Sequence, residues 1–403
     1  MSPRPSATAC STGTRRRPPD LPAMTATWLP PYDRPLAGSA LDAEIEAYVG
    51  LTLLPRIGPR TIKAWVQAAG RAWSVWRHLP HLVRRRRDAA AIVAAWRAAR
   101  PADLVALARR RRQDLVVPGH PAYPPRLWHV PDPPPVLFVR GVLAVGPAVA
   151  VVGARRASPY GLQAAARLAR DLAAAGITVV SGLARGIDGA AHGGALEGGG
   201  RTIAVLGAGV DVVYPPEHAH LAEAIAARGA LVSEFPPGTV PQPGHFPRRN
   251  RVISGLSLAV VVVEGTEDSG ALVTVDCALA QGRDVFAVPG SIFSPVSRAP
   301  LALLRDGAKM ATSADDILQE LQLPLASSAG ATLRGSGGAP GSSPAERVLA
   351  VLAAGPATVD VLVAATGLSP ADAAAAITAL ELQGVVEVHP GQVVAVRGGG
   401  MHG

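Results

Sequence analysis

Three glycine-bearing loops follow short apolar runs, and each carries a group suited to holding an anion. Val149–Val152 leads into Gly153-Ala154-Arg155-Arg156-Ala157-Ser158-Pro159. Gly153 permits a tight turn, Ser158 can cap the following helix and Pro159 suits its first turn. Arg155 is then expected beside a helix N-terminus, where free N–H groups and a guanidinium fork make a phosphate site. The second run ends in Ser181-Gly182-Leu183-Ala184-Arg185-Gly186-Ile187-Asp188-Gly189-Ala190-Ala191-His192. Arg185 lies in that loop. Asp188 and His192, four apart, share a helix face. Their types suit acid–base chemistry. No second carboxylate or nucleophile is spaced to complete a hydrolytic set, so the expected role is structural: Ser181, Gly182, Asp188 and His192 cap the helix and fix the loop.

Further along, Phe246-Pro247-Arg248-Arg249-Asn250-Arg251 is the densest basic cluster of the central region. Arg248, Asn250 and Arg251 suit phosphates and base edges. Ser269-Gly270-Ala271-Leu272-Val273-Thr274 is a last glycine and hydroxyl loop entering a helix, with Ser269, Gly270 and Thr274 as candidate contacts. One such loop is weak evidence. Arg155, Arg185, Arg248 and Arg251 converging on one crevice would make a site for a polyanion backbone.

The elements that must position these loops alternate. Strands are expected at Val149–Val152, Ile177–Val180, Ile203–Leu206, Leu231–Ser233, Leu258–Val263 and Val285–Val288, with Ala-rich helical stretches between several of them. Continuous apolar strands separated by helices imply a mostly parallel sheet covered on both faces. The fold class is α/β, a Rossmann-like doubly wound sheet, which binds ligands beyond its strand C-termini. This domain is assigned to 118–322. Residues 41–117 read as helical, with Leu53–Thr61 resembling the hairpin of a helix-hairpin-helix or SAM-like domain, its tight turn at Gly58. Residues 1–40 read as a disordered extension in which Met24 is an alternative start to Met1. A flexible linker is assigned to 323–343. Three helices and a two-stranded wing over 344–403 follow the winged-helix order.

The formal charge of +9 is unevenly placed. The first 140 residues hold 22 Lys and Arg against 9 Asp and Glu, whereas 141–320 hold 14 against 16. A central anion site must therefore come from local clustering, and Arg84–Arg87 and Arg109–Arg112 read as solvated helix faces or as secondary electrostatic contacts. Cys10 and Cys277 are too far apart in sequence to suggest a disulfide framework or a metal set, and a reducing cytoplasmic setting is expected. No apolar run reaches the ~18 residues of a membrane helix. No cofactor is expected.

Taken in order, the motifs from about residue 120 to 310 resemble the DNA-processing protein A (DprA, or Smf) family. The quoted loops, Thr202-Ile203-Ala204-Val205-Leu206-Gly207, Tyr214-Pro215, Ser233-Glu234-Phe235-Pro236-Pro237-Gly238 and Ala287-Val288-Pro289-Gly290 all match its pattern. The resemblance implies a homodimer that binds single-stranded DNA without cutting it. It also implies loading of the RecA recombinase onto incoming DNA during natural transformation, with displacement of single-strand binding protein. The implied contacts are Arg155, Arg185, Arg248, Asn250, Arg251, Ser269, Gly270 and Thr274. Five positions depart from the pattern: Ala154 replaces a Ser, Pro216 stands where some members carry Lys, Ala271 replaces a Ser, and Ala299-Pro300 falls where members often have Gly and then Asn or His.

The competing reading is a nucleotide or nucleotide-sugar enzyme using Glu264, Asp188 and His192, but the Pro-Gly-Gly-x-Gly-Thr-x-x-Glu loop of phosphoribohydrolases is absent. A third reading, DNA regulation through the winged helix, meets the lack of Lys and Arg in its third helix, Ser369–Gln383.

Overall fold

The computed structural model describes Tyr32 and residues 35–323, 344–352, 357–382, 385–389 and 393–396. These fall into two compact units that divide between residues 326 and 327. The expected extension, apart from Tyr32 and residues 35–40, and nearly all of the expected linker lie outside the described residues, as does the Pro390-Gly391 turn of the wing.

The first unit begins with six helices: α1 (Gly38–Thr52), α2 (Pro59–Ala69), α3 (Ala72–Arg77), α4 (Leu79–Val83), α5 (Ala89–Ala98) and α6 (Pro101–Arg110). Ile45, Tyr48, Val49 and Leu51 bury the inner face of α1. Glu44 is buried with them because its carboxylate accepts from the Ala72 N–H at 2.6 Å and the Trp73 N–H at 3.2 Å, placing a negative charge at the start of α3. Two expectations change here. The left-handed residue of the α1–α2 turn is Arg56, with φ 58°, while Gly58 is extended at φ −97° and merely precedes α2. Arg84–Arg87 follows α4 as a turn rather than forming a helix face, and Arg86 pairs with Asp88 at 2.9 Å.

The sheet and its helices follow: β1 (Asp114–Val116), α7 (Pro125–Trp128), β2 (Leu137–Gly141), β3 (Ala148–Val152), α8 (Pro159–Ala174), β4 (Thr178–Ser181), α9 (Ile187–Glu197), β5 (Thr202–Val205), α10 (Ala219–Arg228), β6 (Ala230–Ser233), α11 (His245–Leu256), β7 (Ala259–Val262), α12 (Gly270–Ala280), β8 (Asp284–Ala287), α13 (Arg298–Arg305), β9 (Lys309–Met310) and α14 (Ala314–Glu320). The nine strands lie in the order β1-β2-β6-β5-β4-β3-β7-β8-β9. β3 to β9 are mutually parallel; β2 runs antiparallel to β6, and β1 antiparallel to β2. Every residue of β3, β4, β5, β6 and β7 is buried, the physical reason these strands read as unbroken apolar runs.

Alternation along the strands splits the core in two. Val149 and Val151 of β3 pack with Leu168 and Leu172 of α8 on one face. Ala150 and Val152 face the other way, into a cluster that also contains Leu127, Tyr48 and Ile62. The helical segment and the sheet thus share one apolar core, and β1 joins the sheet from before residue 118. The expected division at 117/118 does not coincide with a break in packing.

Chain order places β4, β5 and β6 on one side of β3 and β7, β8 and β9 on the other. The order therefore reverses between β3 and β7, and a crevice opens there beyond the strand ends.

The second unit contains α15 (Pro344–Leu352), β10 (Ala357–Thr358), α16 (Val359–Thr366), α17 (Pro370–Leu382), β11 (Val386–His389) and β12 (Val393–Val396). The winged-helix order is present, with a third strand, β10, added to the expected wing; it pairs antiparallel with β12. Val348, Leu362, Ile377, Leu380 and Val394 form its core. No described helix is long and apolar enough to cross a membrane.

Candidate nucleic-acid interface

The crevice at the β3/β7 reversal has a volume of about 760 Å³ and is walled by the loops after β3, β4 and β7, by α11, and by Pro241-Gln242-Pro243. The loop after β3 carries Arg155 and Arg156, both exposed and both lining it. It is pinned from below by the β4–α9 loop: Gly186 has φ 74°, and a Cβ there would lie 2.3 Å from the Ala154 carbonyl oxygen, so both backbone and space demand glycine.

The helix that follows Arg155 is not a free anion site. Glu264, from the end of β7, accepts from the Ser158 N–H at 2.8 Å and from Ser158 Oγ at 2.6 Å. Ser158 Oγ in turn accepts from the Gly161 N–H at 3.1 Å. A carboxylate therefore already occupies the N-terminus of α8, where a dinucleotide-binding sheet would seat its pyrophosphate. The phosphate site expected beside Arg155 is filled by the protein itself. Gly161 leaves room for that carboxylate, since a Cβ would lie 2.2 Å from Glu264 Oε2.

Asp188 does not cap α9, the role expected from the sequence, but fixes the loop ahead of it. Asp188 Oδ2 accepts from the Gly182 N–H at 3.1 Å and the Ala184 N–H at 3.3 Å. Ser181 Oγ donates to the Val151 carbonyl at 2.6 Å. His192 does not join Asp188: its Nδ1 lies 2.7 Å from Thr202 Oγ1, whose own proton goes to the Val179 carbonyl at 2.8 Å. The proton between them must then sit on His192 Nδ1, leaving Nε2 a buried acceptor without a partner. Burial pulls the His192 pKa down to about 3. The two residues are separate anchors rather than a pair.

α12 presents the helix N-terminus that remains open to the crevice. Ser269 Oγ caps the Ala271 N–H at 3.3 Å, and exposed Gly270 lines the cavity with Ser269 and buried Thr274. Asn250 Nδ2 donates to the Gly270 carbonyl at 3.2 Å, holding this turn against α11.

The arginines of α11 do not converge as expected. Arg251 is buried and bound by Glu234, with the Asp132 carboxylate 3.5 Å away, and it does not line the crevice. Arg248 leans over the Phe235 ring at 5.3 Å, with Glu234 4.0 Å away, and is likewise outside the crevice wall. Arg185 lines a small adjoining recess, but its guanidinium is held by Glu217. Only Arg155 of the four expected arginines lines the main crevice.

Three residues that sequence reasoning did not single out stand there instead. Arg249 is buried at the crevice floor and donates to the Gly182 carbonyl at 2.7 Å and to the Val205 carbonyl. Burial draws its pKa down to about 10 although Asp188 favours the charged form. Burial also raises the Asp188 pKa, with Arg249 opposing that shift. Phe246 and Tyr214 have ring centroids 5.8 Å apart and both line the cavity. The Arg155 guanidinium lies 5.4 Å from the Phe246 centroid, within cation–π range. An aromatic inside an otherwise basic run, Phe246 ahead of Arg248, was the available signal.

A family model described as DNA recombination-mediator protein A matches residues 114–322. The chain belongs to this family. A second model, the DprA winged helix domain, matches residues 336–392. The DNA processing protein DprA of Bacillus subtilis is 47% identical over 202 residues, 49% of this chain and 68% of the relative. Protein Smf of Synechocystis is 36% identical over 318 residues, 70% of this chain and 80% of the relative. The X-ray structure of DprA from Streptococcus pneumoniae superposes with a TM-score of 0.62 at 34% identity, covering 68% of this chain and 97% of that one. The matched span of the mediator family runs from β1 to just beyond α14 and contains the whole crevice.

Proposed function

We propose that this DNA recombination-mediator protein binds single-stranded DNA in the β3/β7 crevice, without catalysis. The observation that carries the reading is the Tyr214–Phe246 ring pair beside Arg155 and Arg156. Stacking surfaces next to cations suit unpaired bases and their phosphates irrespective of sequence. The N-terminus of α12 offers the Gly270 N–H and the Ser269 hydroxyl to a phosphate, the Ser269 N–H being donated to the Thr266 carbonyl. Arg249 positions the floor by tying the ends of β4 and β5 together. A nucleotide-processing enzyme is disfavoured because Glu264 caps a helix, Asp188 fixes a loop and His192 is fully buried.

Beyond DNA binding, membership of the family supports a cytoplasmic homodimer that loads RecA, displaces single-strand binding protein and protects incoming DNA in natural transformation. The winged helix is proposed to act in protein contacts, since α17 contains no Lys or Arg.

The test is fluorescence anisotropy with labelled single- and double-stranded oligonucleotides at two salt concentrations, comparing wild type with Arg155→Ala/Phe246→Ala. Preference for the single strand, weakening with salt and loss in the variant are expected. Equal binding by the variant, or binding of neither form, would refute the crevice as the DNA site.

A further inference from the structure

The arginine run Arg109–Arg112 is left unused by the crevice. All four residues are exposed where α6 ends. Arg109 pairs with Asp42 at 2.6 Å, and Arg111 is held by Asp211. Arg110 and Arg112 have no acidic partner among the described residues. Asp114 is the remaining acid close by in the chain, so the turn keeps a positive excess.

Arg111 ties this run to the turn that leads into the crevice wall. Asp211, which holds Arg111, also accepts from the Gly238 N–H at 2.9 Å. The neighbouring Gly209 N–H donates to the Thr239 carbonyl at 2.9 Å, fixing the turn. Three residues beyond Gly238, Pro241-Gln242-Pro243 begins to line the crevice. Three residues of chain span at most about 10 Å, a short step for an extended polyanion.

We propose that Arg110 and Arg112 form a second, purely electrostatic stretch of the single-strand path, taking up phosphates of the strand that leaves the crevice over Gln242. This rests on the proposed DNA-binding role of the crevice. The same arginines also complement the C-terminal end of α6, where cations stabilise a helix. The experiment has to separate the two roles.

Arg110→Gln/Arg112→Asn removes both charges in the full chain; Asn tolerates the positive φ of 54° at position 112. Binding of oligothymidylates of about six and about 25 nucleotides is measured against salt, with thermal unfolding followed alongside. The short strand should bind as to wild type. The long strand should lose roughly tenfold in affinity near 0.15 M salt, and its log–log salt slope should shrink by about 1.4, or ~0.7 for each phosphate contact. An unchanged slope for the long strand would overturn the proposal and leave the arginines to the helix. If this variant loses both lengths while Arg155→Ala/Phe246→Ala loses neither, the crevice reading fails instead, and the path as a continuation of it falls too.

Discussion

Glu264 and Ser158, 106 residues apart in the chain, are joined by two hydrogen bonds, 2.6 Å at Ser158 Oγ and 2.8 Å at its N–H. The contact closes the helix N-terminus that this fold class ordinarily offers to a nucleotide, and it leaves α12 to face the crevice. Glu264→Ala should reopen it. The variant is expected to lose roughly 3–6 kcal/mol of stability, since two hydrogen bonds to a carboxylate disappear. Inorganic phosphate should then raise its unfolding temperature more than that of wild type. An equal phosphate response in both proteins, measured by thermal unfolding, would contradict this account of the α8 terminus.

Arg249 and Arg155 should separate under mutation. Arg249 is 5% exposed and compensates buried Asp188, whereas Arg155 is exposed beside Phe246. Removing Arg249 strips the buried Gly182 and Val205 carbonyls of a charged donor, at about 1.5–3 kcal/mol for each hydrogen bond. Arg249→Ala is therefore expected to lower both stability and single-strand affinity. Arg155→Ala should lower affinity with its urea midpoint unchanged. Unfolding midpoints and anisotropy on the same preparations check both, and a stable Arg249→Ala would show that its floor position carries little weight.

His192 makes the acid limb of stability steep. Its folded pKa of about 3 lies below the ordinary 6.5, because burial and the nearby His218 and Arg249 charges disfavour the imidazolium. Between those two values the unfolded chain binds a proton that the folded chain refuses. Stability from this group is therefore full above pH 6.5 and is lost as pH falls toward 3, at up to ~1.4 kcal/mol per pH unit. Asp188 and Glu234, raised by burial, act in the opposite sense. Comparing wild type with His192→Gln isolates the histidine, and the variant should show a flatter decline from pH 6.5 to 4. Parallel curves would mean that the imidazole is not the proton acceptor.

The sheet was legible in the sequence because its central strands are buried on both faces and so carry no charged residues and polar hydroxyls only at their ends, and the loops were legible because glycine marks each turn. The filling of the α8 terminus was not, since it depends on β7 lying beside β3, which no local pattern states. Nor was the fate of the Arg248-Arg249-Asn250-Arg251 run. Its members differ in phase around α11, so Arg249 turns to the crevice floor while Arg251 meets Glu234, a residue supplied by the end of β6. Counting cations located the cluster; only the helix phase and a distant carboxylate decide which cation is left for a ligand. Gly58 was misread for a similar reason: the turn puts its left-handed residue at Arg56.

Phe246 offers the sharpest discrimination between stacking and simple charge attraction. Its ring is half-buried between Tyr214 and Arg155, so one removal strips both the stacking face and the surface that orients the guanidinium. Base–aromatic stacking is worth about 1–3 kcal/mol per base, so Phe246→Ala should weaken single-strand binding by roughly 5- to 150-fold. Because stacking releases no counterions, the salt slope should stay near the wild-type value, while Arg155→Ala should reduce it by about 0.7. Phe246→Tyr keeps the π-face and should bind nearly as wild type. Titrations of the three variants across salt concentrations test this, and a Phe246→Ala protein that loses slope rather than intercept would place the ring outside the DNA path and leave Arg155 acting by charge alone.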